Sequence, residues 1–154
     1  MDLDAIVKHF GASVREVKLD ADLSGMLVRD GALKIITVAR GHHQHRKRFT
    51  IAHELGHLVM HPGRPYIAES AHVVRVDRRV NAAGLADPRE EYEANQFAAA
   101  LLMPRTLVEE QWNRHAGEDA DRTIDGLASR FQVSAAAMRY RVSNLGLYIP
   151  SGGK

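Results

Sequence analysis

The sequence predicts an α+β fold: a short N-terminal sheet, a long helix in mid-chain and a helical C-terminal part. Residues 14–38 hold short apolar or alternating runs broken at Asp30-Gly31. Residues 48–61, and several segments after Arg89, instead repeat their apolar side chains at helical spacing.

In chain order, Asp4 to Phe10 reads as a short helix closed by Gly11, a residue suited to the position just past a helix end. Val14 to Leu19 alternates apolar and polar residues, as a half-buried strand does. Gly25 to Val28 and Leu33 to Val38 flank Arg29-Asp30-Gly31-Ala32, and Asp-Gly between two such runs signals a hairpin. A basic segment, His42 to Arg48, then leads into a helix over Arg48 to His61 that Pro62 and Gly63 stop. Ile51, Leu55, Leu58 and Val59 form its expected buried stripe. Residues 62–90 form the longest irregular stretch, with only Ala71 to Val76 resembling a strand. Arg89 to Met103 is helical, with Ala94, Phe97, Ala98, Leu101 and Leu102 at helical spacing and Pro104 as its stop. Leu107 to His115 forms a further helix. Thr123 to Leu145 forms two more, joined near Gln132-Val133-Ser134, with Ser134 as the N-cap of the second. Residues 1–150 are expected to form a single domain, and the Ser-Gly-Gly-Lys tail at 151–154 to be disordered.

Composition narrows the function. A chain of 154 residues can bury a core without staples. With no cysteine it has neither a disulfide framework nor a cysteine-ligated zinc finger. The acidic start Met1-Asp-Leu-Asp lacks a signal-peptide pattern, and no apolar run approaches the roughly 18 residues of a membrane span, so a cytoplasmic location is expected. A net charge of +2 gives little support to a nucleic-acid partner.

The most specific feature is His53-Glu54-Leu55-Gly56-His57. On a helix, residues four apart are offset by about 40° and about 6 Å of rise, so His53 and His57 share a face. Two imidazoles so placed can hold one zinc ion. Glu54 lies about 100° away from His53, outside that ligand set but within reach of a water that it could deprotonate. Gly56 costs about 1 kcal/mol relative to alanine in a helix, which suggests that something packs closely against it.

A catalytic zinc needs a third protein ligand. A continued metzincin pattern would require glycine at 60 and histidine at 63, where the chain has Met60 and Gly63. A later helix offers Glu90, Glu91 and Glu93 instead. Glu91 and Asn95, four apart, share a face, so Asn95 could support a ligating histidine. Glu93 lies about 200° from Glu91, so the two cannot face the same metal. Spacing alone leaves the choice open, since acidic residues also favour a solvated helix start.

Phe49-Thr-Ile-Ala-His-Glu-Leu-Gly-His and the block Glu91-Tyr-Glu-Ala-Asn-Gln-Phe-Ala-Ala-Ala-Leu-Leu-Met-Pro104 together resemble the ImmA/IrrE family of zinc metallo-endopeptidases. The resemblance reaches over about residues 20 to 147. It implies a small gluzincin-like metallopeptidase core: an active-site helix beneath a short sheet, followed by a helical C-terminal part. It also implies His53, His57 and Glu91 as zinc ligands and Glu54 as the catalytic residue. Known family members cleave helix-turn-helix transcriptional repressors, relieving repression of phage-like elements or stress genes.

Residues 123–147 themselves resemble a helix-turn-helix. One reading places Ser134 to Val142 in a DNA groove, with Arg139 and Arg141 on phosphates or bases. The other buries Leu127, Phe131, Met138 and Val142, and the low net charge favours it, so direct DNA binding is not expected. The chief rival to a peptidase is a non-enzymatic regulator that binds DNA or a partner through these C-terminal helices, with a structural zinc site. His42, His43 and His45 are read as a solvated basic approach rather than a second metal site. His61 is read as a partner of the helix dipole. Tyr66 and His72 are candidates for stabilising an oxyanion. The edge of the hairpin at 25–38 is a place where an extended substrate could add as a strand.

Overall fold

The computed structural model describes residues 1–20, 23–62, 66–70 and 87–148. The chain divides into two compact units, residues 1–98 and 99–154. Among the described residues no helix is long and apolar enough to cross a membrane.

The first unit has α+β architecture. Helix α1 (Leu3–His9) opens where the Asp2 carboxylate accepts from the Ala5 amide at 3.1 Å, and just past its end Gly11 takes φ +74°. Strands β1 (Ser13–Val17), β2 (Leu23–Asp30) and β3 (Leu33–Ala39) follow, and β4 (Tyr66–Ser70) completes a four-stranded sheet in the order β1-β3-β2-β4. The hairpin forms as the sequence predicts, but its turn lies one residue later. Asp30 pairs with Leu33, leaving Gly31-Ala32 as the central pair. Gly31 takes φ +55°, which glycine supplies at no steric cost at the first position of such a turn.

Two sequence expectations fail here. Residues 66–70 form a strand inside the stretch expected to be irregular, while Ala71 to Val76 lies outside the described residues. The hairpin also has no outer edge. β3 is flanked by β1, which runs parallel to it, and β2 by antiparallel β4, so both hairpin strands lie inside the sheet. Among the described residues the outer strands are β1 and β4.

Helix α2 (Gln44–Met60) begins four residues before the expected start, with the His43 ring accepting from the His45 amide at 3.2 Å. The basic segment is thus largely its first turn, tied down by Lys47 to Glu16 at 2.9 Å and Arg46 to Ser24 Oγ at 2.8 Å. Residues 50 to 57 are all buried, so this helix is covered all round rather than along one stripe, and Val59 is exposed against expectation. Close approach requires missing side chains at two points. A Cβ on Gly56 would lie 3.2 Å from Ala94 Cα and from Phe97 Cδ1, both on helix α3 (Pro88–Leu102), which is the close packing that this glycine suggested. A Cβ on Gly25 would collide with Thr50 Cγ2 and lie 2.8 Å from the Thr37 carbonyl oxygen. Gly25→Ala is therefore expected to destabilise the fold by about 1–3 kcal/mol through overpacking. Urea denaturation measures this directly, and an unchanged midpoint would contradict it.

The second unit is helical. Past the end of α3 come α4 (Arg105–Arg114), α5 (Ala120–Phe131) and α6 (Ala135–Asn144). Asp119 caps α5, accepting from the Arg122 amide at 2.9 Å, so this helix starts before the expected Thr123. Ser134 caps α6 as predicted, accepting from Ala137 at 3.1 Å. Gln132 makes the turn between them with φ 56°. Leu127, Met138 and Val142 are buried as expected, but Phe131 is only half-buried. Arg141 is buried and donates through Nε to the Met103 carbonyl at 3.0 Å, while Arg139 binds Asp121 at 2.8 Å and lies over the Tyr148 ring. Both arginines that a DNA contact would need are thus engaged within the chain.

Candidate metal centre

Two helices build the centre. The i, i+4 spacing in α2 stacks His53 and His57 with Nε2 atoms 2.9 Å apart and ring centroids at 4.7 Å. The first turns of α3 bring Glu91 to them, with Oε2 3.3 Å from His53 Nε2 and Oε1 3.1 Å from His57 Nε2. Among the described residues these three side chains form the group able to hold a metal ion, their donor atoms all within 4.8 Å of one another. The histidine trio 42, 43 and 45 forms no such group; there, His43 and His45 meet edge to face.

The outer hydrogen bonds test whether these donors suit a cation. His53 Nδ1 lies 3.0 Å from Asn95 Oδ1, as the Glu91–Asn95 spacing anticipates. His57 Nδ1 lies 3.0 Å from His61 Nδ1, and His61 Nε2 lies 3.0 Å from Glu93 Oε2. An amide oxygen only accepts, so His53 donates through Nδ1 and its Nε2 carries a lone pair. Glu93 likewise draws the His61 proton to Nε2, leaving its Nδ1 to accept from His57. Both Nε2 lone pairs therefore face each other and a carboxylate. Three such donors repel one another unless a cation lies between them. Zinc with bonds of about 2.0–2.1 Å sets tetrahedral ligands roughly 3.3 Å apart, close to the spacings found. The residues fit the metal.

Electrostatics agree. Burial pushes the Glu91 carboxyl up, but hydrogen bonds and charge from protonated His53 and His57 outweigh this and hold its pKa at about 2; with neutral rings whose Nε2 lone pairs face Glu91, a bound cation takes that role. Burial lowers the His57 pKa despite Glu91 beside it, which keeps its lone pair available at neutral pH.

Glu54 is fully buried, and the space where a Gly25 side chain would stand lies 3.5 Å from its Oε1. Glu90, an alternative third ligand by sequence, is instead a charge partner of Arg29, as is Glu54. Glu93, the other alternative, turns to His61 and to Arg89 Nε at 2.9 Å. Sequence reasoning missed two contributors. Arg29 donates to the His57 carbonyl at 2.6 Å. His61, assigned to the helix dipole, holds the His57 ring; its i+4 spacing from His57 was the available signal. Tyr66 is described only as strand backbone, and His72 lies outside the described residues.

Comparison with known proteins matches residues 7–143 to the peptidase family described as the IrrE N-terminal-like domain. A protein of Deinococcus radiodurans named radiation response metalloprotease IrrE is 29% identical over 119 residues, which cover 75% of this chain and 34% of that protein. The chain thus spans about a third of that relative's length. With most of its length matched, this chain belongs to the IrrE N-terminal-like domain family.

Proposed function

We propose that this protein is a zinc-dependent endopeptidase acting on a protein substrate, and that the substrate is a helix-turn-helix transcriptional repressor. The observation that carries the enzymatic reading is the convergence of the buried His53 and His57 Nε2 atoms with the half-buried Glu91 carboxylate. The relative's name as a metalloprotease supports the same chemistry. The repressor as substrate, and with it a role in regulating stress genes or mobile elements, rests on the family resemblance.

When bound, zinc supplies Lewis acidity, polarising the scissile carbonyl and lowering the pKa of water toward about 7. Glu54 takes the proton of the attacking water and returns it to the leaving amine. Asn95 keeps the His53 ring in the tautomer that presents Nε2. An extended substrate would add at an outer strand of the sheet, β1 or β4, since the hairpin strands are both paired. Against the regulator reading stand the intrachain bonds of Arg139 to Asp121 and of Arg141 to the Met103 carbonyl.

The test is incubation of the zinc-loaded protein with the repressor encoded beside its gene and, in parallel, with a proteome-derived peptide library. Defined internal cuts that disappear on chelation and return with zinc are expected. The absence of any zinc-dependent cut in both sets would count against a peptidase.

A further inference from the structure

We propose that His61 and Glu93 form a positioning chain that fixes the tautomer and orientation of His57, so that the metal affinity of the centre is set in part by a carboxylate at the protein surface. This rests on the reading of His53, His57 and Glu91 as zinc ligands.

The chain runs from the buried centre outward. His57 is fully buried and has its Nδ1 3.0 Å from His61 Nδ1. His61, in the C-cap position of α2, is itself buried, with its Nε2 3.0 Å from Glu93 Oε2. The Glu93 side chain is about one-third exposed, at 37%, and its other oxygen accepts from the largely exposed Arg89. Each imidazole can donate from only one nitrogen while neutral, so the order of donors is fixed from the carboxylate inward. Glu93 takes the proton of His61 Nε2, so His61 Nδ1 must accept, and His57 Nδ1 must donate to it. His57 Nε2 is then left with its lone pair toward Glu91 and His53. Without this chain, His57 could place its proton on Nε2 and lose the ability to bind a metal. Partners of this kind orient a ligand and raise its basicity, and their loss typically weakens metal binding by about 10–100-fold.

His61 does not touch the reacting atoms in this arrangement, so it is a positioning residue rather than a catalytic one. Asparagine can replace it in one respect. The carboxamide oxygen of His61→Asn falls near the place of the imidazole Nδ1 and can accept from His57.

The experiment measures zinc affinity by chelator competition and the visible spectrum of the cobalt-substituted protein, with folding checked by circular dichroism. His61→Ala is expected to weaken zinc binding by about 10–100-fold and to shift the cobalt bands. His61→Asn should recover most of that loss, and Glu93→Ala should weaken binding in the same direction by a smaller factor. A folded His61→Ala protein that binds zinc like the native chain overturns the proposal, as does a His61→Asn protein no better than His61→Ala. Should His61→Ala fail to fold, native affinity and native cobalt bands in Glu93→Ala overturn it. A native chain that binds no zinc would instead sink the metal-centre reading, and this inference with it.

Discussion

Glu54→Gln is expected to keep its zinc and to lose proteolysis by about 10²–10⁴-fold. The substitution preserves shape at a fully buried position, where the space beside Gly25 is already filled by Thr50 and the carboxylate. The donor set, His53, His57 and Glu91, is untouched, so metal content by elemental analysis should match the native protein. What is lost, on the proposed mechanism, is the group that accepts the proton of the attacking water and passes it to the leaving amine. Glutamine offers neither function. The measurement is kcat/KM on a cleaved peptide at equal zinc occupancy. Near-native cleavage by the zinc-loaded variant would remove Glu54 from the mechanism.

Glu91→Ala carries the second large effect. Glu91 brings the negative charge of the donor set, and with a pKa near 2 it stays ionised throughout the working range. Its removal leaves two neutral imidazoles 2.9 Å apart and no anionic ligand. Zinc affinity should fall by more than the roughly 10–100-fold that follows loss of a merely supporting partner, and peptide cleavage should fall with it. Chelator competition reads the first and a peptide assay the second. Native affinity in Glu91→Ala would exclude Glu91 from the donor set.

Local patterns were the legible part of this molecule. The i, i+4 histidines, the Asp-Gly hairpin, the Ser134 cap, the packing against Gly56 and the Asn95 contact each depend on a few neighbouring residues whose geometry a helix or turn fixes. What escaped was set by partners distant in sequence. Nothing in Tyr66 to Ser70 announces a strand until β2 lies beside it, and the parallel pairing of β1 with β3 follows from topology rather than alternation. The buried stripe of α2 misled because the helix is covered on all sides: polar His53, Glu54 and His57 are buried while Val59 is 39% exposed. Glu93 was legible as unable to share a metal with Glu91, yet its true contact required knowing that α2 ends with His61 beside it.

Glu91, Glu93 and Asn95 occupy alternate positions on α3, and together they reach three histidines: Glu91 both members of the pair, Glu93 His61, and Asn95 His53. The centre therefore depends on the rotational phase of one helix against another. One residue inserted between Glu91 and Asn95 would turn everything beyond it by about 100° and carry the amide away from His53. Four inserted residues would bring the phase back to within about 40° but displace it by about 6 Å along the axis. Among the described residues the members of this donor network all lie on α2, at its C-cap or on α3, so a change of length between the two helices leaves the phase within each helix unaltered. Variation in length is thus cheap between the two helices and ruinous inside them, which makes each helix the indivisible unit of change for this site.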